Sequence, residues 1–282
     1  MTAERKIRFV HRFWRSSALP FAEFRRAGDS RACYAPHAHA FLSLGAVDGG
    51  RSVFRRDGSS TLLSRGDVVF IPAGEVHSCN PENDGRWSYQ MLYLDPEWVA
   101  GVVSESSERR AAPSIPAPTF RSEEIHTRLT RLGQCLLRGV SEQEKEAELL
   151  CFVGDLFRRS GEEAWHGGVS RAGAGRLREV QELIEERCAD TLPLTMLAAA
   201  AGMSRYHFVR AFRRQVGMTP HAWQIDARIR RARGLLARGV PLAEAALQLG
   251  FADQSHFQRA FKQRVAVTPR EYRGGGRNFV QD

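Results

Sequence analysis

The sequence predicts a two-domain protein, an N-terminal all-β barrel with α-helices following it and a C-terminal all-α domain carrying two helix-turn-helix motifs. Three observations predict it. Short apolar runs between turn signals fill residues 33–94, a segment near residue 207 recurs almost unchanged near residue 256, and the net charge is confined to one end of the chain. The 282 residues carry 41 Lys+Arg and 32 Asp+Glu, a formal net charge of +9. Residues 1–170 hold 22 basic and 22 acidic side chains and residues 171–282 hold 19 and 10, so the whole excess lies in the C-terminal part. Charge localised in this way predicts a polyanionic partner for that part, nucleic acid ahead of an anionic membrane.

Several classes are excluded. No apolar run reaches the roughly 18–20 residues that span a bilayer. The longest, Leu192 to Met203, is Ala-rich and reads as a buried helix. Met1 to Val10 lacks the apolar core of a secretory signal. Cys33, Cys79, Cys135, Cys151 and Cys188 are odd in number and show no CxxC spacing, against a disulfide framework or zinc ribbon and for a reducing cytoplasm. Lysine is confined to Lys6, Lys145 and Lys262, so the basic part is built from arginine, whose planar fork reads guanine edges and clamps phosphates.

In chain order, Phe41–Val47, Ser52–Arg55, Thr61–Leu63, Val68–Ile71 and Tyr89–Leu94 read as strands, with turns at Asp48-Gly49-Gly50 and Asp57-Gly58. Close spacing of many short strands predicts a small antiparallel barrel or jelly roll over residues 1–117. The Pro-rich segment Pro113 to Pro118 ends it. A helical pair follows over residues 118–160, with Ile125, Leu129, Leu132 and Leu136, then Leu149, Leu150, Val153, Leu156 and Phe157, at helical spacing. This pair either closes the barrel or forms a homodimer interface. Gly, Ser and Ala from Ser160 to Gly175 predict a linker at 161–175 before the basic domain at 176–282.

The basic domain contains an internal repeat. Eight identities fall at a constant offset of 49: His207/His256, Phe208/Phe257, Arg210/Arg259, Ala211/Ala260, Phe212/Phe261, Val216/Val265, Thr219/Thr268 and Pro220/Pro269. Upstream the offset is 48, matching Gly202 to Gly250. Each copy reads as helix, glycine turn, helix. Gly202 and Gly250 end the first helices in the left-handed conformation, Ser204 and Asp253 cap the second, and Ala199 and Ala245 permit close helix approach. Phe208 with Phe212, and Phe257 with Phe261, lie at i, i+4 and point inward. The opposite faces then carry Arg205, Tyr206, Val209, Arg210 and Arg213 in the first copy, and Gln254, Ser255, Gln258, Arg259 and Lys262 in the second. Tyr206, Val209, Arg210, Gln254, Ser255, Gln258 and Arg259 are expected at base edges, together with Arg205 and His256. Arg213, Arg214, Lys262 and Arg264 are expected on phosphates. Between the copies, Pro220 starts a helix through Ala237 that holds the two reading helices about one DNA turn (~34 Å) apart. Its cluster Arg228, Arg230, Arg231 and Arg233 is expected to add phosphate contacts, with some of the four solvent-facing or paired instead.

These residues resemble the AraC/XylS family of bacterial transcription regulators. The resemblance rests on Leu197-Ala-x-x-Ala-Gly-Met-Ser204, Phe208-x-x-Ala-Phe212, Gly217-x-Thr-Pro220, Gly250-Phe-x-Asp-Gln-Ser255-x-Phe257, Phe261-Lys and Thr268-Pro-x-x-Tyr272-Arg273. It covers about 100 residues, with departures at Ala266 and Ala246. It implies promoter control, frequently activation through RNA polymerase, with the N-terminal barrel as sensor of a small-molecule effector.

In the N-terminal part, Pro36-His37-Ala38-His39 on a strand places two imidazoles on one face. Gly66-x5-Pro72-x-Gly74-x2-His77 resembles the second motif of cupin barrels, which makes the expected domain cupin-like. The glutamate usual in metal-binding cupins is absent, with Ser43 and Leu44 in its place, and Asn80 falls one residue early against the enzyme pattern. Three readings of His37, His39 and His77 stay open: hydrogen-bonding groups in an effector pocket, a divalent metal site, or structural histidines. Arg31, Tyr34, Ser43, Trp87 and Tyr89 are expected around the same pocket. The segment Trp87 to Trp98 is similar to a subgroup found beside amino-acid exporters, implying an amino acid or related metabolite as effector. The expected protein is a cytoplasmic, non-enzymatic, ligand-responsive regulator of promoter DNA without a membrane partner. The alternative is a metal-dependent cupin enzyme or metal sensor fused to a DNA-binding module.

Overall fold

The computed structural model describes residues 10–106, 118–157, 171–265 and 267–274, and the chain divides into two units, 1–165 and 166–282. The first unit contains strands β1 (Val10–Arg15), β2 (Ala22–Ser30), β3 (Leu42–Arg56), β4 (Ser59–Ser64), β5 (Asp67–Ile71), β6 (His77–Pro81), β7 (Trp87–Leu94) and β8 (Thr119–Arg121). Its helices are α1 (Pro96–Ser106), α2 (Glu123–Leu136) and α3 (Glu142–Phe157). The second unit is helical: α4 (Arg171–Glu186), α5 (Leu194–Ala200), α6 (Arg205–Val216), α7 (Pro220–Ala237), α8 (Leu242–Gln248), α9 (Gln254–Val265) and α10 (Pro269–Gly274).

Strand β3 organises the first unit. Its N-terminal half pairs with β7 and β5 in the path β1-β2-β7-β3-β5-β8, and its C-terminal half pairs with β4 and β6, all antiparallel. The expected turn at Asp48-Gly49-Gly50 is therefore a bend inside one continuous strand. The register against β7 shifts there, Gly50 adopts φ 71°, and a Cβ on Gly50 would come within 2.1 Å of the Arg86 carbonyl oxygen. Neighbouring strands continue the ladder on both sides of the glycines, so the chain bends without leaving the sheet. Asp57-Gly58 is a true two-residue hairpin, both residues having positive φ.

Side-chain alternation along β7 divides the unit. Trp87, Tyr89, Met91 and Tyr93 line a cavity on one face, while Gln90 on the other donates to Thr130 Oγ1 of α2 at 2.7 Å. Helix α2 thus lies on the outside of the sheet, where a Cβ on Gly133 would meet the Phe24 ring at 2.2 Å. Leu149, Leu150, Phe152, Val153 and Phe157 of α3 are buried in the same unit. Helix α2 covers the sheet, and α3 packs on α2. Helix α1, unanticipated from sequence, packs with α3.

The expected linker is only partly described. Residues 161–170 lie outside the described residues, and Gly173-Ala174-Gly175 belong to α4. Burial of Leu177, Val180 and Ile184 anchors that helix and outweighs a glycine penalty of about 1 kcal/mol per residue.

In the second unit, Gly202 and Gly250 have φ of 64° and 69° and close the first helix of each copy. Ser204 Oγ accepts from the His207 amide at 3.3 Å, and Asp253 Oδ1 from the His256 amide at 2.6 Å. Ring centroids are 5.6 Å apart for Phe208–Phe212 and 5.8 Å for Phe257–Phe261, all four residues fully buried. Ala198 and Ala246 are the buried equivalents at the helix crossings, whereas Ala199 is exposed. The 48-residue offset upstream of the turn accounts for that correction, since it pairs Ala245 with Leu197. Helix α7 begins with Pro220 after Thr219, whose Oγ1 accepts from the Ala222 amide at 3.1 Å.

Candidate functional site

The two candidate reading helices present different surfaces. On α9, Gln254, Ser255, Gln258, Arg259 and Lys262 are all exposed, and His256 is half-buried edge-on to Phe251. Burial and the nearby Arg259 guanidinium lower the His256 pKa. On α6, Arg205, Arg210 and Arg213 are half-buried and Arg214 is exposed, but Tyr206 and Val209 are 1% and 0% exposed. Tyr206 and Val209 are therefore not available to base edges as expected. They lie one helical turn apart beside the phenylalanine stripe and extend it. Withdrawing an aromatic ring and a β-branched side chain from water is worth about 1.5–3 kcal/mol each, more than a solvent-facing position returns. Arg210 stands over the Tyr206 ring, 5.6 Å from its centroid, so the buried tyrosine becomes a platform for the arginine.

Helix α7 is also corrected. Arg228 is buried at 7% exposure, donating from Nε to Cys188 O at 2.5 Å, from Nη2 to Asp190 O at 3.1 Å and from Nη1 to Gly250 O at 2.6 Å. It ties the end of α4 to the turn of the second copy rather than holding phosphate. Arg230 pairs with Glu185 at 2.7 Å, Arg231 donates to the Glu185 carbonyl at 2.7 Å, and Arg233 donates to Tyr272 Oη at 3.2 Å. Arg228 is thus committed to the interior, while Arg230, Arg231 and Arg233 stay exposed with partners on α4 and α10.

The cavity of the first unit is lined by Arg25, Tyr34, three histidines, Cys79, Trp87, Tyr89, Met91 and Tyr93. His37, His39 and His77 form one cluster whose ligating nitrogens lie within 4.8 Å of one another. His37 and His39 do not share a strand as expected. They sit on the β2–β3 loop, where His37 makes a reciprocal backbone bridge to His77, 3.0 Å in both directions. Asn80 holds this loop: Tyr34 N donates to its Oδ1 at 2.6 Å and its Nδ2 donates to Tyr34 O at 3.0 Å. Burial lowers the His77 pKa, opposed by its hydrogen bond to the Glu75 carbonyl and reinforced by His37 and His39. Burial also pushes the Cys79 thiol up to about 12 and raises the Tyr89 and Tyr93 hydroxyls. The Cys79 thiol and the Tyr89 and Tyr93 phenols are thus uncharged near neutral pH.

Two family profiles match the chain, an AraC-like ligand binding domain over residues 22–151 and a helix-turn-helix domain over residues 197–275. An uncharacterized HTH-type transcriptional regulator of Bacillus subtilis, YbfI, is 26% identical over 219 residues, 78% of this chain and 79% of its own length. The arabinose operon regulatory protein of Escherichia coli is 27% identical over 248 residues, covering 83% of this chain and 80% of that protein. The chain belongs to the AraC family of transcription regulators. A crystal structure of unsaturated fatty acid bound ToxT from Vibrio cholerae aligns with a TM-score of 0.34 at 14% identity, over 96% of this chain and 97% of that one.

In this AraC-type regulator the expected pocket residues divide. Tyr34, His37, His39, His77, Trp87 and Tyr89 line the cavity; Arg31 and Ser43 do not. Arg31 is exposed beyond the end of β2, and Ser43 is buried behind His39, its Oγ 3.3 Å from His39 Nε2. The arginine of the cavity is Arg25. Its Nη2 donates to Tyr34 Oη at 2.8 Å, and its guanidinium lies 5.6 Å from the Tyr89 centroid and 5.3 Å from the Phe13 centroid. Trp87 and Tyr89 stack at 4.1 Å with 23° between their planes. Arg25, Cys79, Met91 and Tyr93 were missed. Met91 and Tyr93 share the period-two face of Trp87 and Tyr89, a signal the sequence contained; β2, the strand of Arg25, has no clean alternation to reveal it.

Proposed function

We propose that effector binding in the N-terminal cavity controls how the two helix-turn-helix motifs occupy promoter DNA. The observation that carries this reading is the chemistry of the cavity wall. A stacked indole and phenol, three imidazoles and one arginine converge, and none of the described lining residues is acidic. That wall suits a small flat anion. It refines the expected amino acid toward a carboxylate-bearing metabolite, because an ammonium group would find no counter-charge there.

Base-edge contact is assigned to Arg205, Arg210, Gln254, Ser255, His256, Gln258 and Arg259, and phosphate contact to Arg213, Arg214, Lys262 and Arg264. Homodimerisation through residues 120–160, contact with RNA polymerase and a cytoplasmic location complete the reading. Among the described residues, no helix is long and apolar enough to cross a membrane. The test is a promoter reporter together with DNA binding by the full chain. Arg25→Ala is expected to abolish the metabolite response and leave DNA affinity unchanged, whereas an intact response overturns the effector assignment. A second reading, a metal-dependent catalyst or metal sensor joined to a DNA-binding module, is favoured by the clustered imidazoles; substrate turnover by metal-loaded protein is the result that selects the catalyst.

A further inference from the structure

Resting on the cavity as effector site, we infer that His37, His39 and His77 hold a divalent transition metal and that the effector is an anionic chelator completing its coordination. One device fixes all three rings. His37 Nδ1 lies 2.9 Å from Ala35 O, His77 Nδ1 2.9 Å from Glu75 O, and His39 Nδ1 2.8 Å from Phe41 O. A carbonyl oxygen only accepts, so each Nδ1 carries a proton, and in the neutral ring that leaves the lone pair on Nε2. Donating the distal N–H to a backbone carbonyl is how metal-binding imidazoles are oriented and made more basic.

The cluster is assembled across two chain segments that backbone hydrogen bonds hold together. The His37–His77 bridge and a 2.8 Å bond from Gly74 N to His39 O join the loop to the turn before β6. Arg56 pairs with Glu75 and steadies that turn. Three lone pairs facing one another are electrostatically unfavourable, and a cation between them relieves the repulsion. Ser43 Oγ reaches His39 Nε2 at 3.3 Å, a long hydrogen bond that a metal would readily replace.

The donor set selects the rest. Imidazoles suit zinc, copper, iron and nickel, and three protein ligands leave a position open. Neutral ligands leave the charge of the ion uncompensated, Arg25 adds another positive charge to the same cavity, and no described lining residue is acidic. The incoming ligand must therefore supply negative charge. The cavity is partly open and its volume is about 60 Å³, room for an ion together with a small ligand group. A chelator with a carboxylate beside a second donor would place that group on the metal, leaving its flat body against the Trp87–Tyr89 stack.

The test uses the full chain, stripped by a chelating resin and titrated with cobalt(II), with picolinate and isonicotinate as ligand probes. We expect one cobalt per chain, a visible ligand-field spectrum, and an affinity at least tenfold weaker in His77→Gln. The exposed His37→Gln, which carries little folding risk, is expected to weaken cobalt binding similarly with an unchanged circular dichroism spectrum. Picolinate is expected to shift the cobalt spectrum and to bind loaded protein at least tenfold more tightly than stripped protein. Isonicotinate has the same charge and atoms but cannot chelate, and should show no such gain. Absence of stoichiometric cobalt, or equal affinity in His37→Gln and wild type, overturns the metal site. Equal gains for the two isomers overturn the chelating effector. Either failure leaves standing the effect of Arg25→Ala on the promoter response, so failure of the metal proposal is distinguishable from failure of the pocket reading.

Discussion

The two helix-turn-helix copies share eight side chains at an offset of 49, and the fold buries both members of four of those pairs: Phe208 and Phe257, Phe212 and Phe261, Ala211 and Ala260, and Pro220 and Pro269. Elsewhere the copies part. Tyr206 and Val209 of the first are buried, while their counterparts Ser255 and Gln258 are exposed. A repeat fixes what faces the core and leaves each copy free in how much of its helix faces outward. On the proposed assignment the DNA-facing surface of the first copy is mainly arginine, and that of the second adds amide and hydroxyl groups able to pair with base edges. Sequence preference should therefore concentrate under the second copy, and electrostatic positioning under the first.

The comparison is broken most severely in the core. Phe208→Ala and Phe257→Ala are each expected to cost about 3–5 kcal/mol in urea unfolding of the full chain. A cost near zero in one copy would show that the shared phenylalanines do unlike work. Arg228→Met comes next, at about 3 kcal/mol, because it strips donors from the carbonyls of Cys188, Asp190 and Gly250. Gly250 also packs closely on Ala189, where a Cβ would lie 1.9 Å from the carbonyl oxygen.

The outward faces are sharpened by a matched pair of substitutions. Val209→Ala should cost about 2 kcal/mol of stability and leave base preference alone, since its side chain is buried. Gln258→Ala should change stability by no more than about 0.5 kcal/mol yet lose roughly 1–3 kcal/mol of discrimination at one base pair. Arg259→Ala should behave like Gln258→Ala. Selection of binding sites from a random pool, run beside urea unfolding, reads both quantities. A changed base preference in Val209→Ala would return that residue to the groove.

The two regions of the molecule differed in how much the sequence disclosed. In the C-terminal unit, the repeat, glycine turns, caps and connecting helix are local features, and each was readable in its own few residues. What failed there was orientation: a two-residue anchor, Phe208 with Phe212, set the inward direction but not the width of the buried arc, which depends on the packing of α5 and α7 against α6. The arginines of α7 failed for the same reason, because their carbonyl and carboxylate partners lie some 40 residues away. In the N-terminal unit the three histidines were singled out correctly as a group, while their loop placement depends on Asn80 and the His37–His77 bridge, contacts between distant segments. Arg31 was chosen over Arg25 because β1 and β2 carry no regular alternation by which to tell an inward arginine from an outward one.

The smallest expected effect lies at the position where the repeat breaks just after its last identity. Pro220 and Pro269 match, but the counterpart of His221 in the second copy is the exposed Arg270. His221 retains some accessible surface, yet its Nε2 is sealed from solvent without a hydrogen-bond partner. Burial, with Arg228 nearby, pushes its pKa down to about 3, against the opposing hydrogen bond to the Gln224 side chain; His256 and Arg264 lower it further. The folded state thus disfavours the imidazolium, and the unfolded chain binds the proton first as pH falls below about 6.5. Stability from this group is fully present above that value and is lost progressively as pH falls toward 3. Between pH 7 and 5.5 the loss is about 1 kcal/mol. Urea midpoints of the C-terminal transition at the two pH values measure it, and His221→Gln should flatten the difference. An equal acid sensitivity in that variant would move the titration elsewhere in the unit. It would also remove the one electrostatic asymmetry we assign to the point where the copies join α7 and α10.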